Sequence, residues 1–447
     1  SLRQEFDYRV PDPFADLIQP GFRVLVPFGP RLTTGYVTAV ADETDYQGKL
    51  KAIADLLDAA PAFNAELLEL LRFAADYYRV PLGELMRKAL PPSMHASEKT
   101  RIHLTDAGKE ALAAGTHPDL QRLAGRGLTL RRARELCAPA ILSQYEEEGL
   151  LERRQTVQHG GPGEVLEKRL KVARYDPALI TGPKQHELVA FLMQNGTVTL
   201  SELKLHFKQP ERLVKLLAER GVLEVEKVRV FRTIESSMTA PATPNQLNPD
   251  QVAALTQIVA ALDGGEFHSF LLNGVTGSGK TEVYMHAIVK VLEMGRQALV
   301  LVPEIALTPQ LMSTFRGRFG DQVAILHSAL SPGERYDQWC QVAAGTRSIV
   351  VGARSAIFCP LNRLGLVVVD EEHEPSFKQD ERPFYNARDL ALVRGRQAGA
   401  TVVLGSATPS LESHFNVVNG KFQELLLPRR ATPRPLPDVV IVDLKEA

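Results

Sequence analysis

The sequence is poor in several features that would commit it to common protein classes. Its three cysteines, Cys137, Cys340 and Cys359, stand far apart and never in CxxC spacing. Neither a zinc site nor a disulfide framework is supported, and buried thiols are expected. No apolar run reaches the roughly 20 residues of a membrane span, and no charged-then-apolar leader opens the chain. A cytoplasmic protein with no membrane partner is therefore expected. Charge of one sign is not in excess either, since 52 basic and 53 acidic side chains leave a net charge of −1. By segment the balance is −3 over residues 1–100, +4 over 101–235 and −2 over 236–447. Only the middle is mildly basic, and local patches decide nucleic-acid binding more than the sum does.

What is present is length and ordinary composition. With 447 residues, 44% of them hydrophobic, the chain exceeds one compact core, and two to four domains are expected. Residues 1–97 open with three strand-like pieces, Phe6–Val10, Arg23–Gly29 and Thr34–Val40, punctuated by Gly and Pro as in a small twisted sheet. Residues 64–79 (NAELLELLRFAADYYR) carry a 3.6-residue apolar period and predict a helix.

Residues 98–235 contain a weak repeat. Leu128-Thr129-Leu130 leads through a helical stretch to Glu146-Glu147-Glu148-Gly149, and Val198-Thr199-Leu200 leads similarly to Glu219-Arg220-Gly221. Helix, turn, helix, glycine and strand is the winged-helix pattern. The third helix of the second copy carries Arg212, Lys215 and Arg220, which could face DNA. The matching helix of the first copy is acidic, and either copy could instead space domains or dock protein. Residues 236–247 are rich in Ser, Thr, Ala and Pro and read as a linker. From 248 to 447 helices alternate with short apolar strands, which predicts a parallel sheet with helices on both faces. The expected fold is thus α/β multidomain: a β-rich first domain, a winged-helix region and a RecA-like lobe.

The chemistry sits in that last region. Gly274-Val275-Thr276-Gly277-Ser278-Gly279-Lys280-Thr281 follows an apolar strand and opens a helix, the context of a phosphate-binding loop. Backbone N–H groups around Gly274, Gly277, Ser278 and Gly279 would close on phosphate, aided by the helix N-terminus and followed by Glu282. Lys280 would bridge the β- and γ-phosphates of ATP, and the Thr281 hydroxyl would hold Mg²⁺. About ninety residues on, Leu366-Val367-Val368-Val369 ends in Asp370-Glu371-Glu372-His373. Asp370 is placed to complete the metal shell and Glu371 to polarise the attacking water. Glu372 and His373 would relay nucleotide state toward DNA. Ser406 and Thr408, in Gly405-Ser406-Ala407-Thr408-Pro409, would couple to that acidic cluster.

Pro303–Gln310 and Val350–Ala356 (including Arg354) end strands with groups suited to a sugar-phosphate backbone. Phe377, Lys378, Arg382 and Tyr385 mix aromatics and cations just past the carboxylates and are candidate strand contacts. Asn248 and Gln251 are weaker candidates for adenine.

In this order the strings GVTGSGKTEVY, LVPEIALTPQ, VGARSAIF, VVDEEHEPSFKQ and GSATPSLE resemble the bacterial replication-restart helicases, the PriA or primosomal protein N′ family. The opening FDYRVP, VPFG and LKAIADLLD are similar to that family's amino-terminal DNA-binding domain, so the resemblance spans the chain. It implies an ATP-dependent 3′→5′ DNA helicase that recognises branched, stalled forks and promotes primosome assembly. It further implies that Phe6, Asp7, Gly29 and Lys51 pocket the 3′-OH end of a nascent strand, with single-stranded-DNA-binding protein and replicative-helicase loaders as partners. The family also carries a second RecA-like lobe and a zinc module whose ligands this chain lacks. The chain begins at Ser1 and stops about forty residues past its last motor motif, so a part of a longer protein is expected. The competing reading is a structure-specific DNA-binding scaffold with an inactive motor.

Overall fold

The computed structural model describes residues 4–95, 97–123, 128–158, 165–232 and 246–431. It divides into two compact units, residues 161–235 and the remainder of the chain.

In the larger unit, β1 (Arg23–Phe28) and β2 (Arg31–Tyr36) form an antiparallel hairpin. Gly29 takes φ of 60° at the first position of its two-residue turn, where L-residues are disfavoured. The short β3 (Asp55–Leu56) pairs with the other edge of β1. Val24, Val26, Phe22, Val37 and Ile53 make the core beneath. Phe6–Val10 does not form the expected strand: a single bridge joins Arg9 to Ala52, through Arg9 N–H to Lys51 O at 2.9 Å. With no further backbone neighbour the extended chain cannot extend its ladder. The helix Ala65–Tyr77 matches its periodicity, buries Leu67, Leu68, Leu70, Leu71 and Ala74, and is capped by the Asn64 side chain accepting from Leu67 N–H.

A second sheet of this unit joins β4 (Ser97–Leu104), β5 (Leu128–Thr129) and β6 (Leu151–Gln158) in the order β5-β4-β6. Helices Leu130–Leu136 and Pro139–Glu147 lie between β5 and β6. The smaller unit repeats this succession with β7 (Val165–Val172), β8 (Val198–Thr199) and β9 (Leu223–Val230), ordered β8-β7-β9. Its helices are Pro183–Asn195, Leu200–His206 and Glu211–Glu219. In both copies the last helix runs into a glycine of positive φ, Gly149 or Gly221, that turns the chain into the closing strand. Of the three cations expected to face DNA here, Arg212 and Lys215 are exposed. Arg220 instead turns inward, donating to Leu179 O at 2.8 Å. The linker at 236–247 falls almost wholly outside the described residues.

The motor-like region contributes β10 (His268–Gly274), β11 (Gln297–Leu301), β12 (Val323–Leu326), β13 (Ile349–Gly352) and β14 (Leu364–Asp370). A two-residue pair follows, β15 (Lys378–Gln379) with β16 (Tyr385–Asn386), then β17 (Thr401–Ser406) and β18 (Gln423–Leu427). Seven of these form one parallel sheet ordered β12-β13-β11-β14-β17-β10-β18. Leu299, Val300, Leu366, Val367 and Val368 have no exposed surface, as a parallel sheet covered by helices on both faces requires. The edge strand β18 was not foreseen; it leaves Leu426 58% exposed, so its apolar pattern is incomplete. Cys137 and Cys359 are buried as expected, whereas Cys340 is half-buried.

The first domain is fastened to this lobe. Asn64 Nδ2 donates to Leu361 O at 3.0 Å and to Asn362 Oδ1 at 2.9 Å. Arg394, fully buried, reaches Glu66 Oε1 at 3.1 Å and donates to Ile357 O at 2.6 Å and Cys359 O at 2.8 Å.

Candidate nucleotide site and nucleic-acid face

The order of the parallel sheet brings the phosphate loop and the carboxylates to one edge. β10 delivers Gly274, β14 delivers Asp370, and β17, paired with both, delivers Ser406 between them. Gly277 and Gly279 take φ of 79° and 81°, so only glycine follows this loop without strain. An ideal Cβ on Gly279 would lie 2.3 Å from Gln251 Nε2. That amide donates to Ser278 O at 2.8 Å, and Gln251 also closes a capping box with Asn248. Gln251 therefore braces the loop, a role the sequence reading, which offered it to adenine, did not see.

Lys280 begins the helix Lys280–Glu293 and is 8% exposed. Its Nζ donates to Gly274 O at 3.2 Å and lies 3.5 Å from Glu371 Oε1. The loop cation and the carboxylate expected to orient water thus face one another across the site. Glu371 takes φ of 47°, strained for a residue with a Cβ; such strain collects at functional positions. Asp370 accepts from Tyr284 Oη at 3.1 Å. Burial, then the neighbouring Glu371 charge, raises the Asp370 carboxyl above its ordinary range. Burial beside Asp370 likewise pushes the Tyr284 hydroxyl well up.

Glu282 is committed elsewhere. It sits 3.3 Å from His286 Nε2 and accepts from Arg318 Nη1. Glu372 corrects an expectation more sharply. It is 1% exposed and accepts from Ser410 N at 2.8 Å, Ser410 Oγ at 3.0 Å, Ser413 Oγ at 2.8 Å and Arg388 Nη1 at 3.2 Å. A buried carboxylate so fully satisfied clamps the strand end to the helices beside it. His373 lies between Glu371 and the end of β17: its Nδ1 lies 2.8 Å from Ser406 Oγ and 3.7 Å from Glu371 Oε2, and its Nε2 lies 3.4 Å from Thr408 Oγ1.

The residues offered to a DNA strand divide. Lys378 is exposed, and Arg354 Nη1 pins its backbone, donating to Ser376 O at 3.0 Å and Lys378 O at 2.6 Å. Phe377 and Tyr385 are corrected: they are 2% and 1% exposed, and Tyr385 packs edge-on against Phe358. Their apolar rings are drawn under the segment, and Phe384, at 42%, is the ring that meets solvent. At the amino-terminal domain, Lys51 Nζ lies 3.5 Å from Gly29 O, and Phe6, 46% exposed, packs edge-on against Phe28, the neighbour of Gly29. Asp7 accepts from the Thr44 hydroxyl.

The site fits Mg²⁺·ATP on its donor set. The loop has two positive-φ glycines, a buried lysine, and a Ser278 Oγ that is buried without a partner among the described residues. Thr281 and Asp370 supply the oxygens that a hard cation takes.

A phosphate loop and strand-end carboxylates on one parallel sheet define a RecA-like lobe of the helicase type, and a DEAD/DEAH box helicase family model matches residues 248–416. The 3′DNA-binding domain (3′BD) model matches residues 1–91. The replication restart protein PriA of Bacillus subtilis (strain 168) is 36% identical over 462 residues, covering 100% of this chain and 56% of that protein. Those of Synechocystis sp. and Haemophilus influenzae are 35% and 34% identical, covering 96% and 99% of this chain and 54% and 53% of their own. The chain belongs to the PriA family of replication restart proteins. It spans about half the length of the curated relatives it matches.

Proposed function

We propose that this chain carries the fork-recognition part and the first motor lobe of an ATP-dependent 3′→5′ DNA helicase of replication restart. The observation that carries the reading is the 3.5 Å approach of Lys280 to Glu371 on a lobe joined to a domain of the 3′DNA-binding family. Bound Mg²⁺·ATP would supply the phosphoanhydride bond whose cleavage drives the motor. Lys280 and the loop amides bind its phosphates, Thr281 and Asp370 hold the cation, Glu371 orients water, and His373 with Ser406 and Thr408 senses the outcome.

In this reading the nucleotide site is half a site. The second lobe of the family adds the arginine that completes it, so this chain alone binds nucleotide with negligible turnover. Phe6, Asp7, Gly29 and Lys51 take the 3′-OH end of a strand at a branched fork. Single-stranded-DNA-binding protein and replicative-helicase loaders are the protein partners, in the bacterial cytoplasm at the nucleoid. Among the described residues no helix is long and apolar enough to cross a membrane.

The test is Lys280→Ala in the full-length protein. DNA-stimulated ATP hydrolysis should vanish while fork binding persists. Unchanged turnover would remove the motor assignment.

A further inference from the structure

The edge strand β18 runs on as Pro428-Arg429-Arg430-Ala431, and this short strap lies along the phosphate loop. Two backbone bonds fasten it there: Val275 N–H donates to Leu427 O at 3.2 Å, and Ala431 N–H donates to Gly277 O at 2.9 Å. Between them Arg429 makes a two-pronged pair with Asp250, Nε to Oδ2 and Nη2 to Oδ1, each at 2.7 Å. Asp250 lies in the first turn of the helix Pro249–Gly264, next to Gln251, whose amide holds Ser278 O. Strap, helix start and phosphate loop thus close one ring of contacts.

That ring engages acceptors of the loop. Backbone N–H groups attract phosphate, whereas a carbonyl oxygen turned toward it repels it. Ala431 holds the Gly277 carbonyl and Gln251 the Ser278 carbonyl, so both oxygens are engaged by donors from outside the loop. In a planar trans peptide the N–H points opposite to the carbonyl, so the Gly279 N–H faces away from Gln251. Glycines at 277 and 279 give the loop the positive φ it needs, but they also open many other conformations to it. Each conformation that turns a carbonyl toward the phosphates costs affinity. Fixing the loop before nucleotide arrives removes that cost.

We propose that Arg429 and Asp250 are positioning residues for nucleotide: their ion pair seats the strap on the phosphate loop and keeps the Gly277 and Ser278 carbonyls turned from the phosphates. The charges carry a test of sign. Asp250 places a negative group near an anion site, so by charge alone its removal favours nucleotide. By positioning, its removal frees the strap and disfavours nucleotide. This role rests on the nucleotide-binding reading of Gly274–Thr281 and adds to it two residues outside that motif.

The 447-residue chain is titrated into Mg²⁺ and a fluorescent, ribose-labelled ADP, with binding read by anisotropy in low salt and in about 1 M salt, where the Debye length is about 3 Å. In low salt Arg429→Ala should weaken binding about fivefold, because a two-pronged pair lies at the upper end of what exposed pairs contribute. Asp250→Asn should weaken it by a similar factor, and the double variant should be no weaker than the weaker single one. Arg429→Lys keeps the charge and should recover part of the loss. In high salt the variants and the unaltered chain should converge, and melting temperatures without nucleotide should change little. Tighter binding by Asp250→Asn beside weaker binding by Arg429→Ala would overturn the positioning role in favour of direct contact between Arg429 and the nucleotide. Losses that persist in high salt together with a lowered melting temperature would assign the pair to the stability of the fold and overturn it too. Unchanged affinity in both single variants, while Lys280→Ala abolishes binding, would sink the role and leave the nucleotide site standing. If the unaltered chain binds no better than Lys280→Ala, the nucleotide-site reading fails and the role with it.

Discussion

The Tyr284 hydroxyl donates to Asp370 across 3.1 Å, and it can do so because Gly405 leaves room for it. An ideal Cβ on Gly405 would lie 1.6 Å from Tyr284 Oη. Gly405→Ala should therefore displace the tyrosine and cost about 1–3 kcal/mol, the range for overpacked cores. Tyr284→Phe in the same chain should relieve most of that cost while leaving Asp370 without its donor. Denaturant midpoints of the two single variants and the double variant measure the coupling. Additive losses would show that the two residues do not share the space.

Asp370 carries opposite consequences for stability and for binding. Its carboxyl is held above the ordinary range by burial and by Glu371, so the native chain keeps that proton more tightly than the unfolded chain does. Protonation therefore favours the nucleotide-free fold, and ionisation weighs against it once pH rises past the unfolded value. Asp370→Asn should stabilise the nucleotide-free chain at neutral pH and make its stability less dependent on pH. The same variant should lose Mg²⁺-dependent nucleotide affinity, because the amide gives the cation no charge. In the unaltered chain that affinity should begin to fall with decreasing pH earlier than an ordinary carboxylate would dictate. Calorimetric melting at several pH values, with and without Mg²⁺·ATP, checks both signs.

The split between what the residues announced and what they hid follows distance along the chain. Gly274–Thr281 and the strand ending at Asp370 were legible because loop, strand and helix signals are local. Six of the seven parallel strands were legible for the same reason, since runs such as Leu299-Val300-Leu301 are apolar without interruption. The bracing of the loop by Gln251, 27 residues upstream of Ser278, and the donors gathered by Glu372 from Ser410 and Ser413 were not. Those contacts depend on which helix packs beside which strand end. Phe377 and Tyr385 failed differently: aromatic and cationic residues in alternation fit a strand-binding loop and a half-buried segment equally well. The proposed amino-terminal site rests on resemblance, because Phe6, Gly29 and Lys51 are single residues with no periodicity to mark them.

Arg394 and Glu66 join the amino-terminal domain to the motor lobe over 3.1 Å, with the guanidinium fully buried. Removing one partner of a buried pair typically costs about 3–5 kcal/mol, because the other is left without its counter-charge. Glu66→Ala should fall near the low end of that range, since the Ile357 and Cys359 carbonyls still accept from Arg394. The exposed pair Arg132 with Glu135 gives a control, and removal of one partner there should cost at most about 1 kcal/mol. Chemical denaturation gives the magnitudes. A Glu66→Ala cost no larger than the control's would show that this ion pair does not hold the two domains together.

The amino-terminal domain offers the most direct measurement on DNA. Lys51 lies 3.5 Å from the Gly29 carbonyl, and the Phe6 ring stands beside them, 46% exposed. Asp7 puts an acceptor close by in sequence, and a carboxylate there favours a neutral hydroxyl at a strand end and repels a terminal phosphate. Forks ending in a 3′-OH on the leading strand should therefore bind more tightly than forks ending in a 3′-phosphate, by about 1–2 kcal/mol or five- to thirtyfold. Asp7→Asn should shrink that preference chiefly by improving binding of the phosphate-ended fork, whereas Phe6→Ala should weaken both ends alike by about 1–3 kcal/mol, as loss of a stacking partner does. Because counterion release scales affinity with salt for every phosphate contact, the preference is taken as a ratio at each of several salt concentrations. A ratio of one throughout would mean that Phe6, Asp7 and Lys51 bind duplex or backbone and read no end. A ratio that Asp7→Asn leaves unchanged would place the discrimination on another residue.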